Sequence, residues 1–267
     1  MEKEKNEYGV DEKSGSFFKR DGVTDNKSML VDGRSDAPLL VLSDVSKSYG
    51  GTNALNGVSF TAREGRVIGL LGPRGSGKST VIKLIAGLLA ADNGEILFMG
   101  EELGCASRRA VSYLPEKNPL PLYFTVAEAV SFFEDFFEDF DRERAEEIIG
   151  DFSIARHKKI KTLSFPEREK LILALVMSRR AHLYLLDEPI SGVEPAARAY
   201  IIDTVLRNVP ENSTIIISTH MISDVEKIMD EFIFIKYGEV YASDTVQHMS
   251  ETYGKTVDEY FKEVFRC

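Results

Sequence analysis

The sequence predicts an α/β fold, and three observations support that prediction. Several short runs are continuously apolar rather than alternating, as expected for strands covered on both faces of a parallel sheet; they are residues 67–71, 182–186 and 214–218. Stretches with helical patterning separate such runs, for example residues 195–208. A glycine-rich segment follows the first run, where a strand would turn into a helix. We therefore expect a mixed or mostly parallel sheet covered by helices.

The composition is that of an ordinary globular protein and indicates no membrane-spanning, fibrous or disulfide-rich class. Its 267 residues are 43% hydrophobic and 28% charged, which is ordinary for a soluble protein. The net charge of −10 argues against nucleic acid as a partner. Two cysteines, Cys105 and Cys267, suggest no disulfide framework and fit a reducing cytosol. Because no run approaches the ~20 apolar residues of a membrane span, a role at a membrane would require another chain to supply the spans.

The first hundred residues contain a polar extension and then several strands. Residues 1–38 are charged and aperiodic, which predicts a disordered extension. Strands are predicted at residues 39–42, 57–61 and 95–99. The glycine-rich segment should lead into a helix over residues 79–90.

The second half contains a long helical pattern and a late hairpin. Residues 125–154 are predicted to be helical, with one apolar face formed by Phe132, Phe133, Phe136, Phe137 and Phe140. Burial within a helical subdomain is one explanation for this face, and a surface for a partner helix is the other. Residues 232–241 suggest a hairpin, and residues 256–265 an amphipathic helix.

The glycine-rich segment has the residues of a phosphate-binding loop. It reads Gly72, Pro73, Arg74, Gly75, Ser76, Gly77, Lys78, Ser79, Thr80. Glycines let the backbone approach an anion closely, and successive N–H groups at a helix start can bind it. The lysine would reach the β- and γ-phosphates, and the following serine would ligate Mg²⁺. The alternative is a glycine-rich turn without function, but the setting between strand and helix favours a nucleoside triphosphate site.

Acidic and histidine side chains follow the other two apolar strands. Asp187 and Glu188 come directly after residues 183–186, where a P-loop protein places a Mg²⁺ contact and a residue that orients water. His220 ends the next strand, so it should lie at the same sheet edge. A histidine there is often structural, and acids there can be solvated turn residues. The phosphate loop in the same chain favours γ-phosphate chemistry.

This ordered set of motifs resembles the ATP-binding subunit of an ABC transporter over residues 39–240. The resemblance implies that Tyr49 stacks on adenine, that Glu188 is the catalytic glutamate and that His220 is the switch histidine. It implies a P-loop NTPase core with an antiparallel β subdomain, a helical subdomain near residues 118–165 and a C-terminal extension at 241–267. ATP and Mg²⁺ are the implied cofactors, with Ser79, Glu116 and Asp187 as metal-side residues.

The resemblance also implies partners and a place in the cell. More narrowly, the chain is similar to stand-alone ATPases of ABC-2 type exporters, whose permease is a separate polypeptide. A second ATP-binding subunit would complete the nucleotide sites. The expected location is the cytoplasmic face of the cell membrane, reached through the permease.

Three positions depart from the family pattern, and the third matters most. Glu116 stands where the family has glutamine, and Glu194 where it has aspartate. The family signature Leu-Ser-Gly-Gly-Gln, which binds the γ-phosphate held by the opposite subunit, is replaced by Leu163 and then Ser164, Phe165, Pro166, Glu167.

The changed signature should form a good helix start and a poor anion site. Ser164 to Glu167 matches the capping box S-x-x-E. Phe165 adds bulk, Pro166 has no N–H to donate, and Glu167 brings negative charge where phosphate would lie. We therefore hypothesise a poor homodimeric ATPase, or a subunit of a heterodimer. Two alternatives stay open: a soluble ABC-type ATPase without a permease, and a regulatory subunit that binds ATP with little hydrolysis.

Overall fold

The structure, a computed structural model, describes residues 38–265, so all but the last residue of the predicted N-terminal extension lies outside it. The strands in this part of the chain are β1 Pro38–Tyr49, β2 Thr52–Arg63, β3 Val67–Leu71, β4 Asn93–Phe98, β5 Glu101–Glu102, β6 Val111–Leu114, β7 Leu183–Asp187, β8 Thr214–Thr219, β9 Glu231–Lys236 and β10 Glu239–Thr245. The helices are α1 Lys78–Ile85, α2 Cys105–Arg109, α3 Val126–Phe136, α4 Arg142–Asp151, α5 Phe165–Met177, α6 Pro195–Arg207, α7 Ile222–Val225, α8 Val246–Tyr253 and α9 Val257–Phe265.

The central sheet has six strands in the order β10-β9-β3-β8-β7-β6. Strand β3 is parallel to β8 and β9, β7 is parallel to β6 and β8, and only β10 is antiparallel to its neighbour. The interior strands β7 and β8 are buried along their whole length because both faces carry apolar side chains. The predicted α/β fold with a mostly parallel sheet, a P-loop NTPase core, is confirmed.

A second sheet is antiparallel, in the order β2-β1-β4-β5. Its strands β1 and β2 have 12 residues each, longer than the apolar runs predicted. The register shifts along the β1–β2 pair let the strands continue through polar residues that interrupt the apolar pattern. Apolar side chains of this sheet share one buried cluster with helix α1 and with strands β3 and β7. The packing therefore joins the antiparallel sheet to the strand and helix that flank the phosphate loop.

The segment over residues 125–154, which was predicted to be helical, consists of two helices with a break between them. Helix α3 ends at Phe136, Phe137 is extended, and Asp141 caps α4 by accepting a hydrogen bond from the Arg144 N–H at 3.1 Å. The i, i+4 pattern of phenylalanines continues through the break and conceals it. An isolated bridge between Phe140 and Arg179 instead ties the connection to the core.

The predicted elements near the two ends of the described chain are largely confirmed. The phosphate-loop helix starts where predicted but ends at Ile85, before Gly87, whose φ of +68° ends it. Strands β9 and β10 form the predicted hairpin, and α9 is the predicted amphipathic helix. No helix within residues 38–265 has the length and apolar character needed to cross a bilayer.

Candidate functional site

The phosphate loop joins β3 to α1 and is packed so tightly that side chains are excluded from two of its glycines. A Cβ on Gly72 would lie 2.3 Å from the Ile235 carbonyl oxygen. Gly77 has a φ of +111°, and a Cβ there would lie 2.8 Å from the Ala54 oxygen. Arg74 and Gly75 are exposed at the tip of the loop, while the Ser76 hydroxyl is buried without a hydrogen-bond partner. The close packing against neighbouring backbone therefore requires glycine at positions 72 and 77.

Lys78 places its ammonium inside this loop. Its Nζ donates to the carbonyl oxygens of Gly72 at 2.8 Å and Pro73 at 3.1 Å, and lies 3.7 Å from Oε1 of Glu188. The side chain is only 5% exposed. Burial lowers the pKa of Lys78, and the carboxylates of Glu188 and Asp187 partly oppose that shift. A buried cation held by carbonyls is suited to receive phosphate oxygens.

Asp187 ends strand β7 opposite the start of α1. Its Oδ1 accepts hydrogen bonds from the hydroxyls of Ser79 at 3.0 Å and Ser218 at 2.5 Å. Its Oδ2 is buried and has no hydrogen-bond partner. Burial raises the pKa of Asp187, although the two hydroxyls favour the carboxylate. An unpaired buried carboxylate oxygen beside a serine hydroxyl is the chemistry expected of a hard-cation site.

These residues fit Mg²⁺ in the way that phosphate-transfer sites bind it. Residues 38–265 contain no cluster of three or more His, Cys, Asp or Glu side chains that would form a protein-only metal cage. Mg²⁺ usually needs only one or two protein ligands, with phosphate oxygens and water filling its shell. Ser79 and Asp187 would hold the ion, which supplies neutralising charge to the phosphates.

Glu188 and His220 form a pair next to that corner. Nδ1 of His220 lies 3.0 Å from both carboxylate oxygens of Glu188, and the Thr219 hydroxyl donates to one of them at 3.4 Å. Glu188 has a φ of +53°, a left-handed conformation that is uncommon for a non-glycine residue. Such backbone strain is typical of functional sites. A carboxylate oriented by an imidazole and a hydroxyl can accept a proton from water or position it.

Two further predicted residues lie at the periphery of this corner. Tyr49 ends β1, opposite Thr52, and 46% of its surface is exposed. In strand β2, which follows the Tyr49 turn, the Ala54 oxygen would lie 2.8 Å from a Cβ on Gly77, so β2 packs against the phosphate loop. Glu116 is exposed beyond β6, yet its charge acts on the pKa of both Lys78 and Asp187. The charge of Glu116 therefore acts on the corner, whereas the role of Tyr49 stays a prediction.

Residues 164–167, which were predicted to be a changed signature, form the N-terminus of α5 and hydrogen-bond to one another. Oε2 of Glu167 accepts from the Ser164 N–H at 2.7 Å, and the Ser164 hydroxyl accepts from the Glu167 N–H at 3.3 Å. The predicted capping box is confirmed, with Pro166 in the first turn. The hydrogen bond from the Ser164 N–H lowers the pKa of Glu167, and Lys158 lies 3.4 Å away. The ring of Phe165 packs where a Cβ on Gly192 would be, at 2.9 Å.

Sequence reasoning missed the hydroxyls that support the two acids. Ser218 bonds to Asp187 and also accepts from the Glu188 N–H at 3.2 Å, and Thr219 bonds to the Glu188 carboxylate. The parallel register places Ser218 directly beside Asp187. The available signal was the change from isoleucines to Ser-Thr-His at the end of β8, where only the histidine was assigned a role.

Comparisons with known proteins agree with this geometry. The family model described as "ABC transporter" matches residues 55–191. The ABC transporter ATP-binding protein YtrB of Bacillus subtilis (strain 168) is 30% identical, over 81% of this chain and 75% of the relative. Nod factor export ATP-binding protein I of Rhizobium sp. (strain N33) is 31% identical, over 79% of this chain and 72% of the relative.

Solved structures show the same fold. A structure of the ATP-binding subunit of an ABC transporter superimposes with a TM-score of 0.73, at 24% identity, over 85% of this chain and 99% of that one. A dimeric ATP-binding cassette bound to ADP and Pi superimposes with a TM-score of 0.68, at 23% identity, over 77% and 98%. Together with the family match and the relatives, the geometry leads to one conclusion: this chain belongs to the ABC transporter ATP-binding family.

Proposed function

We propose that this chain binds and hydrolyses ATP and thereby energises a separate membrane permease. One observation carries the proposal: Lys78, Ser79, Asp187, Glu188 and His220 meet at one corner of the sheet, within the contacts given above. Phosphoryl transfer to water requires a positive charge for the phosphates, a metal site and an oriented carboxylate, and this corner has a buried ammonium, a candidate Mg²⁺ site and such a carboxylate.

Each residue has a distinct role in this proposal. Lys78 and the N–H groups of residues 72–80 bind the β- and γ-phosphates. Ser79 and Asp187 hold Mg²⁺, with Glu116 at the edge of its shell. Glu188 orients the attacking water, and His220 holds that carboxylate and contacts the γ-phosphate. The Tyr49 ring stacks on the adenine.

Hydrolysis by the purified chain is tested with two substitutions. Lys78→Ala should abolish detectable ATP binding in calorimetry, because the buried cation of the loop is lost. Glu188→Gln should bind ATP like the parent but lower single-turnover hydrolysis by about 100-fold or more, because the amide cannot take a proton. If the parent itself bound no MgATP at millimolar concentration, the proposal would fail.

A permease is proposed as the partner because the chain exposes an aromatic surface near the break between α3 and α4. The aromatic patch consists of the exposed rings of Tyr123, Phe132 and Phe136, with the ring of Phe124 between the first two. Phe132 and Phe136 stack at 5.8 Å between ring centres, and Phe136 is 70% exposed. Apolar groups exposed together usually mark a protein interface. Burial in the helical subdomain therefore accounts for Phe133 but not for these two rings. One relative is named for Nod factor export, which supports export and a location at the cytoplasmic face of the membrane.

The state of the α5 N-terminus supports a heterodimer. Both the N–H and the hydroxyl of Ser164 are used by Glu167, and the Glu167 carboxylate occupies the positive end of the helix. In the family pattern, this end binds the γ-phosphate of the opposite subunit. We infer that a second ATP-binding chain with an intact signature completes the competent site, which uses this chain's Lys78 and Glu188.

The heterodimer proposal predicts weak ATPase activity in the isolated chain and a gain when the signature is restored. The test compares the parent with Phe165→Gly/Pro166→Gly and with a triple variant that adds Glu167→Gln. Activity should rise in the double variant and rise further in the triple variant. An ordinary transporter rate in the parent, unchanged in both variants, would contradict the proposal.

The same helix start favours a second candidate, a regulatory subunit that binds ATP with little hydrolysis. Single-turnover measurements separate the two candidates in the presence of a partner ATPase. A regulatory subunit would show the same slow hydrolysis in the parent and in Glu188→Gln. A catalytic subunit would lose activity in the variant.

A further inference from the structure

The turn between β9 and β10 lies beside the phosphate loop and carries an aromatic side chain that is almost fully exposed. Tyr237 and Gly238 form this two-residue turn, with φ values of +52° and +77°. Hairpin turns with two positive φ values strongly favour Asn, Asp or Gly at the first position. Tyr237 is instead a bulky residue in a left-handed conformation, and 87% of its surface is exposed. Among the described residues the ring contacts Nζ of Lys236, 5.9 Å from the ring centre, and this distant contact does not explain why a tyrosine occupies the strained position.

Hydrogen bonds hold the turn against the loop that binds phosphate. The Gly238 N–H donates to the Ser76 carbonyl at 3.0 Å, and the Gly238 carbonyl accepts from the Asn56 N–H at 2.8 Å. The Asn56 side chain also donates to Glu239 at 2.6 Å. The Gly238 Cα lies 3.6 Å from the position of a Cβ on Gly77. The position of residue 237 is thus fixed relative to the phosphate loop.

The sheet order shows which end of the nucleotide lies on this side. Strand β3, which leads into the loop, has β8 and then β7 on one side and β9 on the other. Asp187 ends β7, and Glu188 and His220 directly follow β7 and β8. In the proposed function the γ-phosphate reacts on this β7–β8 side, so the base would lie on the opposite side of the loop, toward β9. Strand β2, which follows the turn that carries Tyr49, is hydrogen-bonded to Gly238 through Asn56.

We propose that the Tyr237 ring contacts the base of the bound nucleotide, in addition to Tyr49. This inference rests on the proposed function. It assigns a binding role to a residue outside the recognised motifs, and it predicts that an aromatic ring, rather than the tyrosine hydroxyl, is what the position requires. A base can stack on any aromatic face that lies within reach. The fixed turn removes much of the backbone entropy that a mobile loop would lose on binding.

Calorimetry of two substitutions tests the proposal with ATP and with inorganic tripolyphosphate, which lacks a base. Tyr237→Asn removes the ring but suits the left-handed turn, so the variant should fold at least as well as the parent. We expect its ATP affinity to fall by about 5- to 10-fold and its tripolyphosphate affinity to stay unchanged. Tyr237→Phe, the matched control, should keep the parent's ATP affinity. An Asn variant that binds ATP like the parent would overturn the inference.

A fluorescent reporter gives a second, independent readout. The chain contains no tryptophan, so Tyr237→Trp introduces a single tryptophan, whose emission can be excited selectively over that of the tyrosines. ATP should change its emission, whereas tripolyphosphate should not. An equal response to both ligands, or no response to saturating ATP, would contradict a base contact.

The parent and Lys78→Ala separate this inference from the proposed function. If the parent binds ATP and Lys78→Ala does not, then normal binding by Tyr237→Asn refutes the Tyr237 contact alone. If the parent does not bind ATP, both proposals fail.

Discussion

At the scale of single residues, the proposed catalytic corner contains charged groups that burial disfavours. Lys78 and Glu188 are 5% and 9% exposed, and Asp187 is fully enclosed. The raised pKa of Asp187 and the lowered pKa of Lys78 both result first from burial. These buried charges oppose folding of the ligand-free chain. Binding of phosphate and a cation would neutralise them and so stabilise the folded protein.

Asp187→Asn should therefore stabilise the ligand-free protein while destroying its Mg²⁺ site. Because the folded-state pKa is raised, the carboxyl contributes stability below the unfolded pKa, and that contribution is lost as the pH rises through the folded value. At neutral pH the ionised carboxylate opposes folding, so the Asn variant should have a Tm higher by a few degrees. This gain should shrink as the pH approaches about 4. Thermal unfolding at several pH values measures it.

The control for that experiment is Asp203→Asn. Asp203 is an exposed carboxylate paired with Arg207 one helical turn away at 2.9 Å, and its replacement should change Tm little at any pH. If Asp187→Asn lowered Tm at neutral pH, burial would not be the dominant influence on that carboxyl.

At the scale of elements, the first turn of α5 is stabilised by capping hydrogen bonds that use groups which could otherwise bind an anion. The reciprocal hydrogen bonds of Ser164 and Glu167 satisfy backbone donors that a phosphate would otherwise accept from. Ser164→Ala should cost about 1 kcal/mol of unfolding free energy, because the cap is lost. Urea unfolding of the ligand-free chain measures this value. Ser164→Asp, which can cap equally well, is the control, and equal losses in both variants would contradict the capping role.

The connection between α3 and α4 depends on one buried arginine. The Arg179 guanidinium donates to both oxygens of Asp139 at 3.0 and 3.1 Å and to the Val111 carbonyl at 2.7 Å. It also lies 4.1 Å from the centre of the Phe137 ring. These contacts fix the extended residues that interrupt the helical pattern.

Arg179→Met should destabilise the protein by about 3 kcal/mol, because it leaves buried carbonyl groups and a carboxylate without partners. Arg180→Met removes only an exposed ion pair with Asp141 and should cost about 0.5 kcal/mol or less. Urea unfolding of both variants makes the comparison. Equal losses would show that the buried network contributes nothing special.

Sequence patterns predicted the elements that depend on neighbouring residues better than those that depend on contacts between distant parts of the chain. The strand β3, the loop and the acids after β7 could be predicted, because apolar runs and glycine spacing are local signals. The break after Phe136 could not, since it depends on Arg179, 43 residues further along the chain. The role of Ser218 likewise depends on register with Asp187, which no single segment of sequence specifies.

At the scale of the whole molecule, we assign two surfaces of different chemistry to two proposed partners. The aromatic patch is proposed for a permease, and the nucleotide corner for a second ATP-binding chain. Phe136→Ser should remove co-purification with membranes but leave ATP binding by the isolated chain unchanged, because the ring is exposed and makes no contact with the corner.

The matched control for the patch is Leu88→Ser. Leu88 is a well-exposed apolar residue after α1 and lies outside the patch, so its replacement should keep membrane co-purification. Loss of co-purification in both variants would indicate general damage to solubility rather than a specific docking surface.

The proposed obstruction of phosphate binding at the start of α5 also has a consequence for how this gene can evolve. Three neighbouring features block it independently: the Phe165 ring seated against Gly192, the missing donor at Pro166 and the self-bonded carboxylate of Glu167. Reversing any one of them leaves the other two in place, so no single codon change would give a lineage a selectable advantage. In the proposed heterodimer, a descendant of this gene would therefore be expected to keep its need for a second ATP-binding chain.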